Sequence, residues 1–321
     1  MQKKLVNIFL MVAAVAVVLI MGRDFVVNKS GKNIDNVYEY NIDEFRQVDS
    51  SLIHYREVFS FPVQVEKPKG IALCEDQIYI VAEDVFLRFS KDGNLLLRRV
   101  LGASPTAIAC VNNGEFLVAM RDHIRLFDGE GTLLSRWNSF GEKVVITSIA
   151  VAGQSVFVAD AGNRVVYQCD KLGNVIRKIG GKDDQKGIPG YIIPSPYFDV
   201  AVDRDGFLWA ANTGLHSLEN YNADGSLRTS WKASSLSIEG FSGCCNPAHF
   251  AIMDDHSFVT SEKGMVRIKI YDQHGQFKGV VAPPAAFDRG ATVAPEVVVD
   301  GENRIIALDF ERKEVRIFER K

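Results

Sequence analysis

The sequence has little of what many function classes need. Five cysteines, Cys74, Cys110, Cys169, Cys244 and Cys245, are too few and too scattered for a disulfide scaffold. There is no Cys-x-x-Cys and no second cysteine cluster, so spacing supports no zinc site. The formal net charge is −3 and no Lys/Arg-rich run is interleaved with aromatics, so the phosphate attraction that nucleic-acid binding requires is missing and no nucleic-acid partner is expected. No long amphipathic helix is legible, and no Ser, His and Asp spacing supports a hydrolytic triad. Metal and cofactor therefore stay unassigned.

Long apolar runs are scarce too, with one exception. Residues 5–21 are largely apolar, follow Lys3 and Lys4, and give way to Gly22-Arg23-Asp24. The run is at the short end of what spans a bilayer as a helix. A cleaved secretory signal is the alternative, but its small-x-small site, Ala14-Val-Ala16, falls inside the run rather than at its end. We expect a signal anchor over residues 1–22, with the N-terminus cytoplasmic and the bulk of the chain extracytoplasmic, in a periplasm. Residues 23–50 are polar with little apolar period and are expected to form a tether. Export makes disulfides possible without requiring them. Cys74 and Cys110, at strand ends, and Cys169, in a slot filled elsewhere by Phe or Tyr, are expected to be packed thiols.

From His54 onward, alternation typical of half-buried strands runs to the C-terminus, punctuated by Gly and Asp-Gly turns. One stretch, from Val156 through Asp160, Asn163 and Arg164 to Gly173 and Ile179, contains a strand, a polar loop, a strand, a turn and a strand. The chain repeats it. Segments matching Val156-Phe-Val-Ala-Asp160 begin at Tyr79, Phe116, Leu208, Phe258 and Ile305, and the glycines of the following turns, Gly93, Gly131, Gly173, Gly225 and Gly275, recur about every 40 to 50 residues. That is the period of a four-stranded propeller blade. The sixth copy runs out of chain before its fourth strand, and the unassigned run over residues 55–65 can supply it and close the ring. The expected fold is all-β, a six-bladed β-propeller over residues 51–321.

The pattern carried by Asp160-Ala-Gly-Asn163-Arg164-Val165-Val166 and by Pro196-Tyr-Phe-Asp-Val-Ala-Val-Asp203-Arg-Asp205-Gly206 resembles the NHL repeat. The likeness is weakest in the second copy, where Met120 replaces the acidic residue. Gly243-Cys244-Cys245-Asn246-Pro247 and Thr260-Ser-Glu262-Lys263-Gly264 also resemble segments of a set of exported bacterial NHL proteins. NHL-like propellers include a lyase that holds metal in its channel with histidines, and other six-bladed propellers are calcium-dependent hydrolases. Such sites place His or carboxylate groups at inner strand starts, where this chain has mostly Ala, Val and Ile and only His249 stands out.

In an up-and-down blade, the strand 2–3 loops and the connections from strand 4 to the next strand 1 emerge on one face. The long connections, residues 182–194, 232–247 and 282–293, all lie there, and long loops on a rigid scaffold commonly bind. We expect a protein, peptide or small-molecule ligand on that face. The candidate ligand-binding residues are Cys244, Cys245, Asn246, His249, His216, Glu262, Lys263, Asp160, Asn163 and Arg164. Cys244-Cys245 reads as a packed loop, a vicinal disulfide or a soft-metal pair. The polar residues closing strand 2, Glu83, Asp160, Asn212, Glu262 and Asp309, read either as a ligand ring or as caps on loop backbone. A redox- or metal-dependent enzyme centred on Cys244-Cys245 is the alternative to a binding module.

Overall fold

The second strand of most repeats is buried along its whole length, as in Phe116–Ala119, Leu208–Asn212, Phe258–Glu262 and Ile305–Asp309. A strand with one wet face alternates, so continuous burial means that both faces are covered. The reason is the architecture, here described from a computed structural model covering residues 11, 12, 14–19, 23, 44–112, 114–180, 182–185 and 187–321. The chain divides into two compact units, Met1–Ile42 and Asp43–Lys321.

Among the described residues the second unit contains six four-stranded antiparallel sheets. Their inner strands are Pro68–Cys74, Ala107–Cys110, Ile146–Ala152, Val200–Val202, His249–Ile252 and Glu296–Val299. Each inner strand contacts the next, and the sixth contacts the first, so the sheets close as a ring around an axial channel. Six apolar clusters fill the ring, each built from two adjacent blades; Phe61, Ile78, Ile80, Ile306 and Leu308, for instance, join blade six to blade one. This is a six-bladed β-propeller, as the repeats predict.

The sixth blade is closed by the start of the propeller chain. Tyr55–Pro62 pairs antiparallel with Glu314–Arg320, Tyr55 opposite Arg320 and Pro62 opposite Glu314. Arg316, nearly inaccessible in that last strand, bonds Glu57 of the closing strand at 2.6 Å and Asp309 at 3.3 Å. The closing strand starts at the end of the blade that carries the 3–4 turns. The chain preceding Tyr55 therefore enters the propeller on the face opposite the long connections.

The marker glycines have a physical basis. Gly173 (φ +88°) and Gly275 (φ +78°) turn the chain in the left-handed region, and a Cβ on either would meet the ring of Trp137 or Trp231 at 2.4 Å. Cys169 is fully buried against blade two, in the slot expected of a packed thiol. Cys74 and Cys110 correct the expectation: they form a disulfide, Cα–Cα 5.4 Å, between the ends of the first two inner strands. Neighbouring inner strands converge at the channel, which brings equivalent repeat positions within disulfide reach.

Of residues 5–21, only 11, 12 and 14–19 are described; they are helical and exposed. Among the described residues no helix is long and apolar enough to cross a membrane. The rest of the expected anchor and nearly all of the expected tether lie outside the described residues, apart from Arg23 and residues 44–50.

Candidate functional site

Repeat geometry puts one residue from each of blades two to six at the mouth of the channel, on the face of the long connections. In blades three, five and six the position is fixed by pairing: Ser148 opposite Ala159, His249 opposite Ser261 and Glu296 opposite Leu308. In blade four it is Asp199, whose carbonyl accepts the Ala211 amide at 2.9 Å. Blade two places Thr106 there, its carbonyl partner being Ala119. Four adjacent blades thus aim Ser148, Asp199, His249 and Glu296 at one level.

Asp199 is only 8% exposed. Its Oδ1 accepts the Ser148 hydroxyl at 2.6 Å and the Val200 amide at 2.9 Å; Oδ2 accepts the Phe250 amide at 2.9 Å and lies 3.8 Å from His249 Nδ1. Burial pushes the Asp199 carboxyl up, opposed by the His249 charge and these hydrogen bonds. Burial pushes His249 down toward the neutral imidazole, opposed by Asp199. Glu296 accepts one weak bond, from the Ile71 amide at 3.2 Å, and its other oxygen accepts none among the described residues. Burial, and then the Asp199 charge, hold the Glu296 carboxyl well above the usual range. The mouth thus combines two carboxyls of raised proton affinity, an imidazole whose proton affinity burial lowers, and a hydroxyl. Tyr197 and Phe310 flank His249, with ring centroids at 5.9 and 6.2 Å, and the Lys263 ammonium sits 5.2 Å over Tyr197. Behind the mouth the channel encloses about 350 Å³.

Sequence reasoning found His249 and missed Asp199, Glu296 and Ser148. A signal existed. Each occupies the same repeat position as His249, but the residue differs in every blade, so the position does not stand out as a motif.

The residues closing strand 2 staple loops. Asp160 is fully buried; its Oδ1 accepts the amides of Val145, Gly162 and Asn163, and its Oδ2 accepts the Asn163 side-chain amide at 2.6 Å and the Tyr167 hydroxyl at 3.3 Å. Asn212 takes the Ile192 amide and Glu83 the Glu66 amide, each belonging to an incoming connection. Arg164 is exposed, in the left-handed region at φ +56°.

Glu262 performs the same task with charge. It accepts the Ser242 amide at 3.1 Å and pairs with Arg267 Nε at 2.7 Å and Lys269 Nζ at 2.8 Å, all three side chains being inaccessible. Arg267 and Lys269 donate onward to the carbonyls of Ser237, Ile238 and Gly240. Burial opposes ionisation of Glu262, but the Lys269 and Arg267 charges hold its carboxyl below the usual range. Burial pushes Lys269 down to about 8 against the pull of Glu262. A buried ion triad thus ties down the 232–247 connection.

That connection carries the vicinal cysteines. Cys244 is exposed, Cys245 buried, and both are free thiols with Sγ–Sγ 3.3 Å. Cys245 Sγ accepts the Ser195 hydroxyl at 2.9 Å. His216 bridges Ser234 Oγ at 2.8 Å and the Gly243 carbonyl at 2.5 Å. Asn246 donates to the carbonyls of Ser242 and Lys263 and accepts the Lys263 amide at 2.9 Å. Cys244, Cys245, Asn246, His216, Glu262 and Lys263 are thereby gathered on one corner of the face beside His249, while Asp160, Asn163 and Arg164 belong to blade three.

Among the described residues no group of three or more His, Cys, Asp and Glu side chains is arranged to hold a metal ion. Two larger hollows, of about 530 and 660 Å³, lie on the opposite side, lined partly by 1–2 turn residues such as Asp203, Asp205, Asp254 and Asp255. They are more capacious, but they lack the mouth's cluster of two carboxyls and an imidazole with shifted proton affinities, which is the stronger mark of a site.

No protein-family model matches the chain, and no curated protein matches it. Solved structures do. A catalytically inactive variant of virginiamycin B lyase from Staphylococcus aureus, with quinupristin, superposes with TM-score 0.56 at 14% identity, covering 80% of this chain and 82% of that one. A protein of unknown function from Bacteroides thetaiotaomicron gives TM-score 0.59 at 13% identity, covering 84% and 76%. Another, from Bacteroides caccae, gives 0.56 at 14%, covering 72% and 87%. At these identities the likeness shows the fold alone.

Proposed function

We propose that this protein is an exported, membrane-tethered propeller that binds a small water-borne molecule, or the end of a peptide, at the mouth of its channel. The observation that carries the reading is the pair Asp199 and Glu296. Both carboxyls have raised affinity for protons, Asp199 being buried and Glu296 half-buried at the mouth, and Glu296 has an oxygen that accepts no hydrogen bond among the described residues. Groups held in that state are matched by a ligand that brings donors of its own, such as an amine, and the flanking rings of Tyr197 and Phe310 suit its apolar part. The NHL resemblance is consistent with such a use of the fold.

Export is supported by the Cys74–Cys110 disulfide, a bond characteristic of oxidising compartments. Anchoring rests on the sequence of residues 5–21.

A second reading is favoured by the Asp199–His249 contact at 3.8 Å with Glu296 alongside. An imidazole held against one carboxyl with a second carboxyl beside it can move protons, so the mouth is also equipped for an elimination or hydrolysis. The structural likeness to a lyase is compatible with that and adds no residue-level support.

The test is affinity selection of a metabolite and peptide pool by the full chain, read by mass spectrometry. Compounds retained by the wild type and by a His256→Ala control on the opposite face are expected to be lost by Asp199→Asn/His249→Ala. Equal retention by the mouth variant contradicts the reading, and turnover of a retained compound decides for the enzyme.

A further inference from the structure

We propose that Cys244 and Cys245 form a reversible redox site on the rim of the mouth, closing to a vicinal disulfide by exchange with a low-molecular-weight disulfide. The two sulfurs already stand 3.3 Å apart, and Cys244 is exposed to a reactant while Cys245 is buried behind it. Their backbone is held on both sides: His216 grips Gly243, Asn246 ties Ser242 to Lys263, and Glu262 holds the Ser242 amide. The thiols therefore stay paired without a search through loop conformations.

The pair differs in kind from Cys74–Cys110. That disulfide joins Cα atoms 5.4 Å apart, within the ordinary span. Adjacent residues across a trans peptide hold their Cα atoms about 3.8 Å apart. A disulfide between them is strained, and strained exposed disulfides are the readily reduced, switchable ones. One disulfide is structural, and the other is set to open and close.

The exchange balances as follows. The Cys244 thiol gives its proton to solvent, and the thiolate attacks one sulfur of the reagent, RSSR, breaking that S–S bond and releasing RS⁻, which takes up a proton. The Cys245 thiol then loses its proton and attacks Cys244 Sγ, expelling the second RS⁻, which is protonated in turn. Two electrons and two protons pass from the pair to RSSR. Burial raises the Cys245 thiol, while the Ser195 hydrogen bond and the nearby Lys263 charge favour its thiolate. Cys169 does not compete, because burial pushes its thiol up to about 12 within the core.

Closure has a structural consequence at the mouth. In the reduced state Cys245 Sγ accepts the Ser195 hydroxyl, tying the 232–247 connection to the segment just past the one over residues 182–194. The backbone carbonyl of Ser195 accepts the Tyr197 amide at 2.7 Å, and Tyr197 is the ring beside His249 and Lys263. Turning Cys245 Sγ toward Cys244 withdraws it from Ser195 and loosens that side of the mouth. The redox chemistry is independent of the binding reading; only its effect on the ligand rests on it.

The test equilibrates the full chain in oxidised and reduced glutathione and reads peptide masses together with amide exchange. In the oxidised buffer the peptide containing Cys244 and Cys245 is expected to be lighter by two hydrogens. Mild dithiothreitol should restore it under conditions that leave Cys74–Cys110 intact. Cys245→Ser, which has no resolving thiol, should instead retain glutathione on Cys244. The Tyr197 amide should exchange about tenfold faster in the oxidised protein. Two alkylatable thiols after oxidation, or a stable glutathione adduct on wild-type Cys244, would overturn the site. Unchanged Tyr197 exchange would overturn its coupling to the mouth. A failed ligand selection touches neither result.

Discussion

Asp160 and Asp199 are both buried aspartates near the same face, and their surroundings give them opposite uses. Asp160 receives five hydrogen bonds, from its own loop, from the incoming connection at Val145 and from Tyr167 of the next strand, and is a staple. Asp199 faces His249 and Glu296 across the channel mouth, where burial is incompletely offset. The contrast predicts a pH dependence. Glu296 binds its proton more tightly folded than unfolded, so its contribution to stability is fully present below the unfolded value of 4.5 and is lost as pH rises through the higher folded value. The wild-type melting temperature is expected to fall across the range upward from about pH 4.5 more steeply than that of Glu296→Gln, as thermal unfolding at a series of pH values would report. Parallel profiles would show that Glu296 is ordinary. The strand-closing carboxylates are legible in the sequence because they recur. The mouth is not, because there each blade carries a different residue and only the closed ring makes them neighbours. The pairing of Cys74 with Cys110 escapes a sequence reading for the same reason.

At the scale of elements, strands and turns are readable from alternation and glycine spacing, including Tyr55–Pro62, whose partner is at the other end of the chain. The long connections are readable as insertions but not as structures. The 232–247 connection is held by Glu262, Arg267 and Lys269, and neither Arg267 nor Lys269 stands out in the sequence, since basic residues in a strand ordinarily point to water. Removing one partner of a buried ion pair strands the others, at a cost of about 3–5 kcal/mol. Arg267→Met is expected to lose about that much stability in chemical denaturation and to raise amide exchange over residues 237–242. A loss under about 1 kcal/mol would mean that the triad is not what fixes the connection.

For the molecule as a whole, ring closure does two things. It packs the last blade face to face against the first, and it creates a channel with one plain and one elaborated end. The chain enters at the plain end; the mouth, the long connections and the vicinal thiols occupy the other. Function is therefore expected at one pole of the ring. The most direct measurement is a crystal structure of the full chain with a compound retained in affinity selection. That compound is expected in the channel mouth, hydrogen-bonded to Asp199 and Glu296 and flanked by Tyr197 and His249. A compound seated instead in the hollow between blades four and five on the opposite side, beside Asp203 and His256, would contradict it.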